Sequence, residues 1–408
     1  MSRTYSPAKL SLAIWSSVLA FGVQQLSAAT VTYVVGTCKG ATQFSTIQSA
    51  LDASPAPNTV EVCPGQYAEQ VTITKPVTLE GIAASNGDLA QIILPDGYAI
   101  NATIRDLDGD DAFPAVAQVH VNNVSGGAVN LTNLEVNGMG FSMNSTYFVG
   151  IYYEASSGTI NQVITSFQTG ADTGATLVGG FGMYIQGGGS KPSVTVENSS
   201  IHDFNLRGIY AVGLTTAPDL KVTLENNNVS SPQSDIVLTV EQGTDPTVKG
   251  NVVNGGVGGI VVNASTGSIT DNTVLGSEFG ISVGADGPSV KSNKIFNTIG
   301  DGIYVGLGLS LKASVIEDNT IMTVIQPGSL DVTGRGIELN CAKVSPGHVK
   351  SNTVMDSLYG YGDVPTGFTG SGTYAGVVTP VTPCDNNAPS EKASLAARLK
   401  LLSQSWRQ

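Results

Sequence analysis

The sequence predicts an all-β solenoid of stacked coils, and the first reason is a phrase that returns between residues 194 and 354. In Ser289–Val305 the phrase reads SVKSNKIFNTIGDGIYV, which is a strand, a turn at Asn293, a loop and a second strand opened by Gly302. Variants recur as VTLENNNV, TVKGNVV, SITDNTV, SVIEDNTI and HVKSNTV. A repeat that carries strands and turns, with no room for helices, is typical of a solenoid whose units stack to share a core.

The period of the turn asparagines is the second reason. The column consists of Asn227, Asn251, Asn272, Asn293 and Asn319, with spacings of 24, 21, 21 and 26 residues. Apolar residues alternate with polar ones beside each turn, so one side of every strand faces a core. Asparagine tolerates left-handed φ, and coils about 4.8 Å apart would let the amides bond in a ladder. We therefore expect these asparagines to be structural.

A third observation is the segment FSTIQSALDASPAPNTVEVCPGQYAEQVTITKPVTLEGI at residues 44–82. This segment and the repeat resemble the right-handed parallel β-helix of the pectin-lyase-like superfamily, over roughly residues 31–365. The resemblance implies an all-β, right-handed parallel β-helix (residues 30–365) with a short N-terminal capping helix. It implies no single activity, because this architecture hosts lyases, hydrolases, esterases, epimerases and proteins without known chemistry.

The first 29 residues predict a secretory signal peptide. Arg3 and Lys9 precede an apolar run at 10–23, which ends in small residues near Ala29. The run is too short to span a membrane, so we expect cleavage and no membrane insertion afterwards. The resulting location is outside the cell, in the periplasm or on the cell surface. A retained anchor is the minor alternative.

The net charge limits the classes of binding partner that we expect. Without Arg3 and Lys9, 17 basic residues remain against 32 acidic ones, which gives a net charge of −15. Such a surface repels nucleic acid and anionic membranes. It also disfavours polyuronate ligands unless a cation or a local arginine cluster intervenes. We expect a single folded domain, because a solenoid lengthens without splitting its core, and we expect a monomer.

Four cysteines lie in the exported part. In an oxidising compartment we expect Cys38 to pair with Cys63 and Cys341 with Cys384, each bridge fastening one end of the solenoid, although sequence alone permits three pairings. The chain has neither a CxxC motif nor a Cys/His cluster, which makes a zinc site unexpected.

Helices are expected only at the ends. Phe44–Ala53 predicts a helix capped by Ser45, with an apolar stripe that covers the open end of the solenoid. Residues 366–408 are a Gly-, Thr- and Pro-rich loop and then an amphipathic helix at Glu391–Trp406. Between them, Val129–Val136 is among the predicted strands, and excursions at 137–148 and 165–180 could wall a binding groove.

One acidic loop is a candidate metal site. Asp106, Asp108 and Asp110 lie close together around a glycine and could hold Ca²⁺ through hard oxygen ligands. Their spacing is not that of a standard calcium loop, and a solvated acidic loop is the simpler interpretation. Ca²⁺ is the one cofactor that the sequence suggests.

Aligning the strands that open at glycine predicts columns on an outer surface. Counting two residues past the opening position gives Tyr152, Tyr184, Tyr210, Val237, Val261, Ser282, Tyr304 and Glu338. Two residues further on come Glu154 and Gln186. The position before the glycine holds Arg207, Ser234, Asp301 and Arg335, among others.

Three tyrosines on consecutive coils, beside hydrogen-bonding groups, suit a sugar chain, whose CH faces stack on rings. We therefore expect a binding strip that contains Tyr152, Glu154, Tyr184, Gln186, Tyr304 and Arg335. The alternative is a tyrosine ladder that only stabilises the sheet.

For catalysis the sequence offers two clusters. A glycosidase needs two carboxylates about 5–9 Å apart, and Asp301 with Glu338 satisfies this on spacing alone. A lyase needs a base beside a neutralised uronate, for which Arg207 and Tyr210, near His202 and Asp203, are the candidates. A surface ion pair between Asp301 and Arg335 is the simpler reading of that column. The histidines otherwise have the pattern of surface or turn residues.

The motifs of known enzymes are absent. Gly65, Tyr67 and Glu69 resemble the GxYxE stretch of pectin methylesterases, but the later catalytic motifs of that family are missing. The signatures of polygalacturonases and mannuronan epimerases are missing too. The leading hypothesis is therefore a secreted β-helix that binds a polysaccharide, with lyase or glycosidase chemistry if it is an enzyme. The competing hypothesis is a non-catalytic adhesion or structural solenoid.

Overall fold

The described part of the chain runs from residue 30 to residue 383. The computed structural model describes these residues apart from 41–42, 84–86, 106–111, 141–145, 170–178, 189–190, 215–218, 232–233, 235, 307–308, 312–313, 324–333, 346, 358, 365–369, 376 and 378. The predicted signal peptide, the aspartates Asp106, Asp108 and Asp110, the C-terminal helix and Cys384 all lie outside the described residues.

The chain winds as a parallel β-helix with three sheets. Sheet 1 contains Thr32–Val35, Thr59–Val62, Val77–Gly81, Ala128–Thr132, Ser157–Asn161, Ser193–Glu197, Leu220–Glu225, Thr244–Lys249, Ser268–Thr270, Ser289–Lys291, Ile316–Glu317 and Val349–Lys350. Sheet 2 contains Gly65–Ala68, Ala90–Ile93, Leu134–Asn137, Ile164–Ser166, Ser200–His202, Asn228–Ser231, Val252–Gly255, Thr273–Leu275, Lys294–Thr298, Thr320–Thr323, Asn352–Met355 and Gly372–Ala375.

Sheet 3 closes each coil. It contains Val71–Ile73, Ala112–Asn122, Tyr147–Glu154, Gly180–Gln186, Arg207–Val212, Ile236–Val240, Gly258–Val262, Phe279–Val283, Ile303–Val305, Arg335–Glu338, Tyr359–Val364 and Thr379–Pro383. One further strand, Ala102–Arg105, pairs antiparallel with Ala112–Asn122. Ser310–Leu311 and Lys343–Val344 pair separately.

The core lies inside the coils, as the alternating pattern predicts. Most strands of sheets 1 and 2 bury every second side chain, such as Val222 and Leu224 in one strand of sheet 1. The predicted strand Val129–Val136 is two strands, because the chain turns a corner at Asn133, whose φ is 54°. The corner lets Leu131 and Leu134 both face the core, which a straight strand could not do.

The asparagine ladder is present. Successive amides donate from Nδ2 to Oδ1 of the next coil along Asn227, Asn251, Asn272, Asn293, Asn319 and Asn352, at 2.9–3.0 Å. Each Nδ2 also reaches a backbone carbonyl; for Asn272 this is Val248 O at 2.9 Å. The left-handed residue is the one before the ladder, for example Asp271 at φ 57°, so the ladder asparagines satisfy buried backbone groups and do not supply the turn conformation.

The N-terminal helix is shorter than predicted. It spans Ile47–Leu51, and its N-cap is Thr46, not Ser45. The carboxylate of Glu69, from the following coil, accepts hydrogen bonds from the N–H groups of Ile47 (2.8 Å) and Gln48 (3.0 Å). Ile47 packs in the core, which confirms the predicted apolar stripe.

Disulfide bonding agrees with the predicted pairing at the N-terminal end. Cys38 and Cys63 are joined, with Cα atoms 5.5 Å apart. Cys341 is also disulfide-bonded, and its expected partner, Cys384, lies beyond the described residues. Among the described helices, none combines the length and apolar character needed to cross a bilayer.

Candidate functional site on the outer face of sheet 3

The candidate residues lie on the outer face of sheet 3 in one column. Hydrogen-bonded register aligns His120, Tyr152, Tyr184, Tyr210, Thr239, Val261, Ser282, Tyr304 and Glu338 on consecutive coils. The predicted alignment of the tyrosines is confirmed. The predicted alignment is wrong by two residues on the coil that follows Tyr210. There Thr239, and not Val237, occupies the tyrosine column, and Ile236 replaces Ser234 in the column that holds Arg207.

A glycine position explains the spacing of the two outward columns. The strand pairing skips one position on each coil, namely Gly150, Gly182, Gly208, Val237, Gly259, Gly280 and Gly336. A Cβ on Gly208 would lie 2.4 Å from a methyl of Val229 and 2.7 Å from Val237 O, so side chains fit poorly there. This irregularity puts residues three apart, such as Arg335 and Glu338, on the same face.

The tyrosines do not face solvent, which corrects the predicted binding strip. Tyr152, Tyr184 and Tyr210 are fully buried in a second apolar cluster outside the main core. The strand Ala102–Arg105 helps to cover them: the Tyr152 hydroxyl donates to Thr103 O at 3.0 Å and the Tyr184 hydroxyl to Arg105 O at 2.9 Å. We call these three tyrosines and their cover the tyrosine block.

The tyrosine block is closed by ring packing. The Tyr152 and Tyr184 rings lie 5.2 Å apart edge to face, and the Tyr184 and Tyr210 rings lie 5.0 Å apart. Burial, with a smaller contribution from the negative charge of Glu154, raises the pKa of Tyr152 far above its usual value. A tyrosine in this environment keeps its proton, so the block stabilises the sheet and offers no base.

The predicted lyase cluster is not assembled. Arg207 is buried, and its Nη1 donates to Leu206 O at 3.2 Å. Tyr210 is buried within the tyrosine block. His202, by contrast, ends a strand of sheet 2, so the histidine and the arginine lie on different sheets.

A buried histidine that was expected at the surface lies beside the tyrosines. His120 stacks parallel on Tyr152 with ring centroids 4.9 Å apart, and its Nε2 is 2.9 Å from Glu154 Oε2. The Glu154 side chain is 27 % exposed, so it is partly accessible to solvent. Gln186, its neighbour in the column, is buried, and among the described residues its Oε1 has no hydrogen-bond partner. Only the strand register could have revealed the contact between His120 and Tyr152.

The C-terminal half of the same face is polar. Glu338 Oε1 accepts from the backbone N–H of Asn340 at 2.7 Å, and Glu338 Oε2 is 2.5 Å from Arg335 Nη1. Asn340 Nδ2 donates to the Tyr304 hydroxyl at 2.8 Å on the preceding coil. We call Tyr304, Arg335, Glu338 and Asn340 the Arg335 cluster. It unites three predicted site residues and adds Asn340, which the prediction missed as a site residue.

Burial differs within this cluster. The Glu338 side chain is 1 % exposed and the Arg335 side chain 16 %, so Arg335 is the more exposed partner. Asp301 is also buried, and its neighbour Gly302 donates its N–H to Arg335 O at 2.9 Å, which puts Asp301 and Arg335 on adjacent coils. Arg335 pairs with Glu338 on its own strand; the predicted ion pair between Asp301 and Arg335 stays a prediction.

Metal binding has no support in the described residues. Among them, no three His, Cys, Asp or Glu side chains are grouped to hold an ion. The calcium prediction concerns Asp106, Asp108 and Asp110, outside that part of the chain, and stays a prediction.

These features define a right-handed parallel β-helix. The sequence model of the family described as "Right handed beta helix region" matches residues 117–289. No curated protein matches the chain.

Solved structures with similar coils have low sequence identity. They include DFA-IIIase from Arthrobacter chlorophenolicus A6 (TM-score 0.47, 14 % identity, 87 % of this chain and 91 % of that one). PfbA, a surface adhesin of Streptococcus pneumoniae, has a TM-score of 0.45 and 12 % identity, covering 81 % and 89 %. A double mutant of the periplasmic alginate epimerase AlgG has a TM-score of 0.45 and 11 % identity, covering 80 % and 74 %. At this level of similarity, none of them assigns an activity to this chain.

Proposed function

We propose that the protein is an exported β-helix that binds a polysaccharide through the Arg335 cluster. The observation that carries this proposal is the buried carboxylate of Glu338, held by Arg335 and by the Asn340 N–H on the outside of a solenoid. Burying an ion pair contributes little to stability compared with apolar packing. A charged cluster kept on an outer face is therefore better explained by recognition than by packing.

The side chains of the Arg335 cluster are suited to hydrogen bonding with sugar hydroxyls. The guanidinium of Arg335 has several donors on a side chain that is 16 % exposed, while the buried Tyr304 hydroxyl and Asn340 amide carry both donor and acceptor atoms. The overall negative charge favours a neutral polysaccharide over a polyuronate. The Cys38–Cys63 bond supports export, because disulfides persist in oxidising compartments.

If the bound chain is cleaved, glycoside hydrolysis is the reaction class that the residues favour. Asp301 and Glu338 are two buried carboxyl groups on adjacent coils, and glycosidases use such a pair as acid and as base or nucleophile. We assign no chemistry to Arg207 or Tyr210, because both are buried away from this cluster.

The test combines binding and turnover on a panel of neutral polysaccharides. We expect Arg335→Ala to weaken binding at least tenfold, and Glu338→Gln to abolish any hydrolysis while the chain still binds. Lys249→Ala, which breaks an exposed pair with Glu225 on sheet 1, is the matched control and should change neither. Unchanged binding by Arg335→Ala, with the variant folded, would refute the proposal.

A non-catalytic adhesion or structural solenoid is the second candidate. The tyrosine block favours it, because the groups that looked most like a sugar-binding strip are used entirely for packing and for bonds to the cover. This candidate predicts that no polysaccharide is turned over and that any binding is insensitive to Arg335→Ala.

A further inference from the structure

A second exposed site lies at the corner that follows sheet 2. The strands of sheet 2 are in register, and one position of this register contains Ser166 beside His202. The residue after this position has a left-handed φ on six coils. These residues are Phe167 (59°), Asp203 (56°), Gly255 (88°), Gly276 (66°), Asn297 (57°) and Asp356 (49°).

Phe167 is the exception in this column. Glycine, asparagine and aspartate adopt left-handed φ readily, whereas a bulky aromatic residue there is strained by its Cβ. The ring does not recover this cost by burial, because Phe167 is 44 % exposed. A residue that breaks the local rule without a packing gain is a candidate for function.

Polar groups that suit a ligand lie beside the ring. The His202 ring is 6.3 Å from the Phe167 ring, nearly perpendicular to it, and His202 Nδ1 is 2.7 Å from Asp203 Oδ2. Since a carboxylate accepts, Nδ1 carries a proton, and Nε2 makes no hydrogen bond to the described residues. The Asp203 side chain is 47 % exposed.

The preceding coil extends the apolar part of this edge. Met139 also has a left-handed φ, 57°, and is one of the few large apolar side chains that are mainly exposed. Its neighbour Gly140 donates its N–H to Phe167 O at 3.3 Å, so the two turns are adjacent.

We infer that Phe167, His202 and Asp203, the Phe167 edge, bind one hexose unit of a neutral β-linked glycan. The CH face of the sugar packs on the Phe167 ring, and its hydroxyls form hydrogen bonds with His202 Nε2 and donate to the Asp203 carboxylate. The carboxylate and the net negative charge exclude uronates. The inference does not depend on the Arg335 cluster, which lies on another sheet.

The decisive variant is Phe167→Asn, which gives this coil the residue type that Asn297 already supplies at the equivalent turn. Titration calorimetry would use cellohexaose, laminarihexaose and β-1,4-galactohexaose. We expect at least one of them to bind with a millimolar Kd and Phe167→Asn to weaken that binding at least tenfold. Because strain is removed, the Tm of the variant should be unchanged or about 2 °C higher.

Two further variants sharpen the result. Asp203→Asn keeps a residue that tolerates left-handed φ but removes the charge, and we expect binding to weaken about threefold to tenfold. Asn297→Gly is the matched control and should leave the Kd unchanged.

The inference is overturned if none of the three oligosaccharides binds. It is also overturned if Phe167→Asn lowers the Tm by several degrees and leaves the Kd unchanged, since the ring would then serve packing alone.

Discussion

The two halves of the outer face of sheet 3 use the same columns but keep their side chains from water in different ways. In the N-terminal half, Tyr152 and Tyr184 pack ring against ring and donate their hydroxyls to the backbone of Ala102–Arg105. In the C-terminal half, Glu338 is held by Arg335 and the Asn340 N–H. The difference shows that strand register fixes which side chains are neighbours, whereas the segments outside the coils decide their environment.

The two halves should differ in what their buried groups contribute to stability. Burial of apolar rings contributes stability in proportion to the area removed from water. A buried ion pair contributes little in net terms, but removal of one partner leaves an uncompensated charge. The tyrosine block should therefore tolerate no loss of volume, and the Arg335 cluster should tolerate no loss of a single charge.

The largest effect is expected from Tyr184→Ala. The variant leaves a cavity in the second apolar cluster and should lower the free energy of unfolding by about 3–5 kcal/mol. Tyr184→Phe keeps the ring and loses only the bond to Arg105 O, which should cost about 1 kcal/mol. Urea unfolding measures both. A cost below about 1 kcal/mol for Tyr184→Ala would mean that the ring is not packed as described.

Arg335→Ala should follow, with a loss of about 2–4 kcal/mol, because Glu338 is left as a buried charge. The double variant Arg335→Leu with Glu338→Leu removes both charges and should lose less than Arg335→Ala alone. Unfolding of the two variants by urea under identical conditions tests this order. The reverse order would show that the pair itself, and not the orphaned charge, stabilises this half.

The buried Tyr152 in the N-terminal half should make the free energy of unfolding depend on pH in the alkaline range. Burial raises the pKa of Tyr152, so above about pH 10, the ordinary tyrosine pKa, the unfolded chain releases this proton and the folded chain does not. Stability is therefore complete below pH 10 and falls as the pH rises beyond it. Tyr152→Phe should make the unfolding free energy less steep between pH 10 and 11.5. An unchanged slope would contradict the burial of this hydroxyl.

The smallest effect is expected from an exposed ion pair that serves as a reference for the buried one. Glu317 on sheet 1 is 2.7 Å from Lys291 and 3.2 Å from Lys350, and hydrogen bonds from these lysines lower its pKa. Its contribution is present above the unfolded pKa and is lost as the pH falls below about 4.5.

Glu317→Gln should accordingly cost less than about 1 kcal/mol at pH 7 and flatten the loss of stability between pH 5 and 3. Added salt should reduce the cost further, because this pair is partly exposed. A cost as large as that of Arg335→Ala would remove the distinction between exposed and buried pairs.

Much of the architecture could be predicted because local patterns encode it. The return of Asn251 and Asn272 at a period near twenty gave the ladder, and the glycine before Tyr184 or Tyr210 gave the columns. The coil at residues 236–240 was misaligned because Val237 stands where the other coils have glycine. Without a glycine at this position, the coil lacks the residue from which the strand register is counted on the other coils.

The sites were less predictable. The tyrosine strip was expected in solvent because residues 83–114 showed no period, so nothing indicated that Ala102–Arg105 returns over sheet 3. The strain at Phe167 was likewise invisible, because a phenylalanine between two short strands has an ordinary sequence pattern. Both features depend on contacts between residues far apart in the chain.

The amino-acid sequence by itself determined the stacked coils, the asparagine ladder and which side chains share a column. These follow from alternation, turn residues and repeat length, all of which act over a few residues. Only the tertiary structure decided that Tyr152 and Tyr184 are buried, that Arg335 pairs with Glu338, and that Phe167 stays at the surface. The physical reason is that burial and charge pairing depend on which distant segment crosses a face, and no local pattern specifies that crossing.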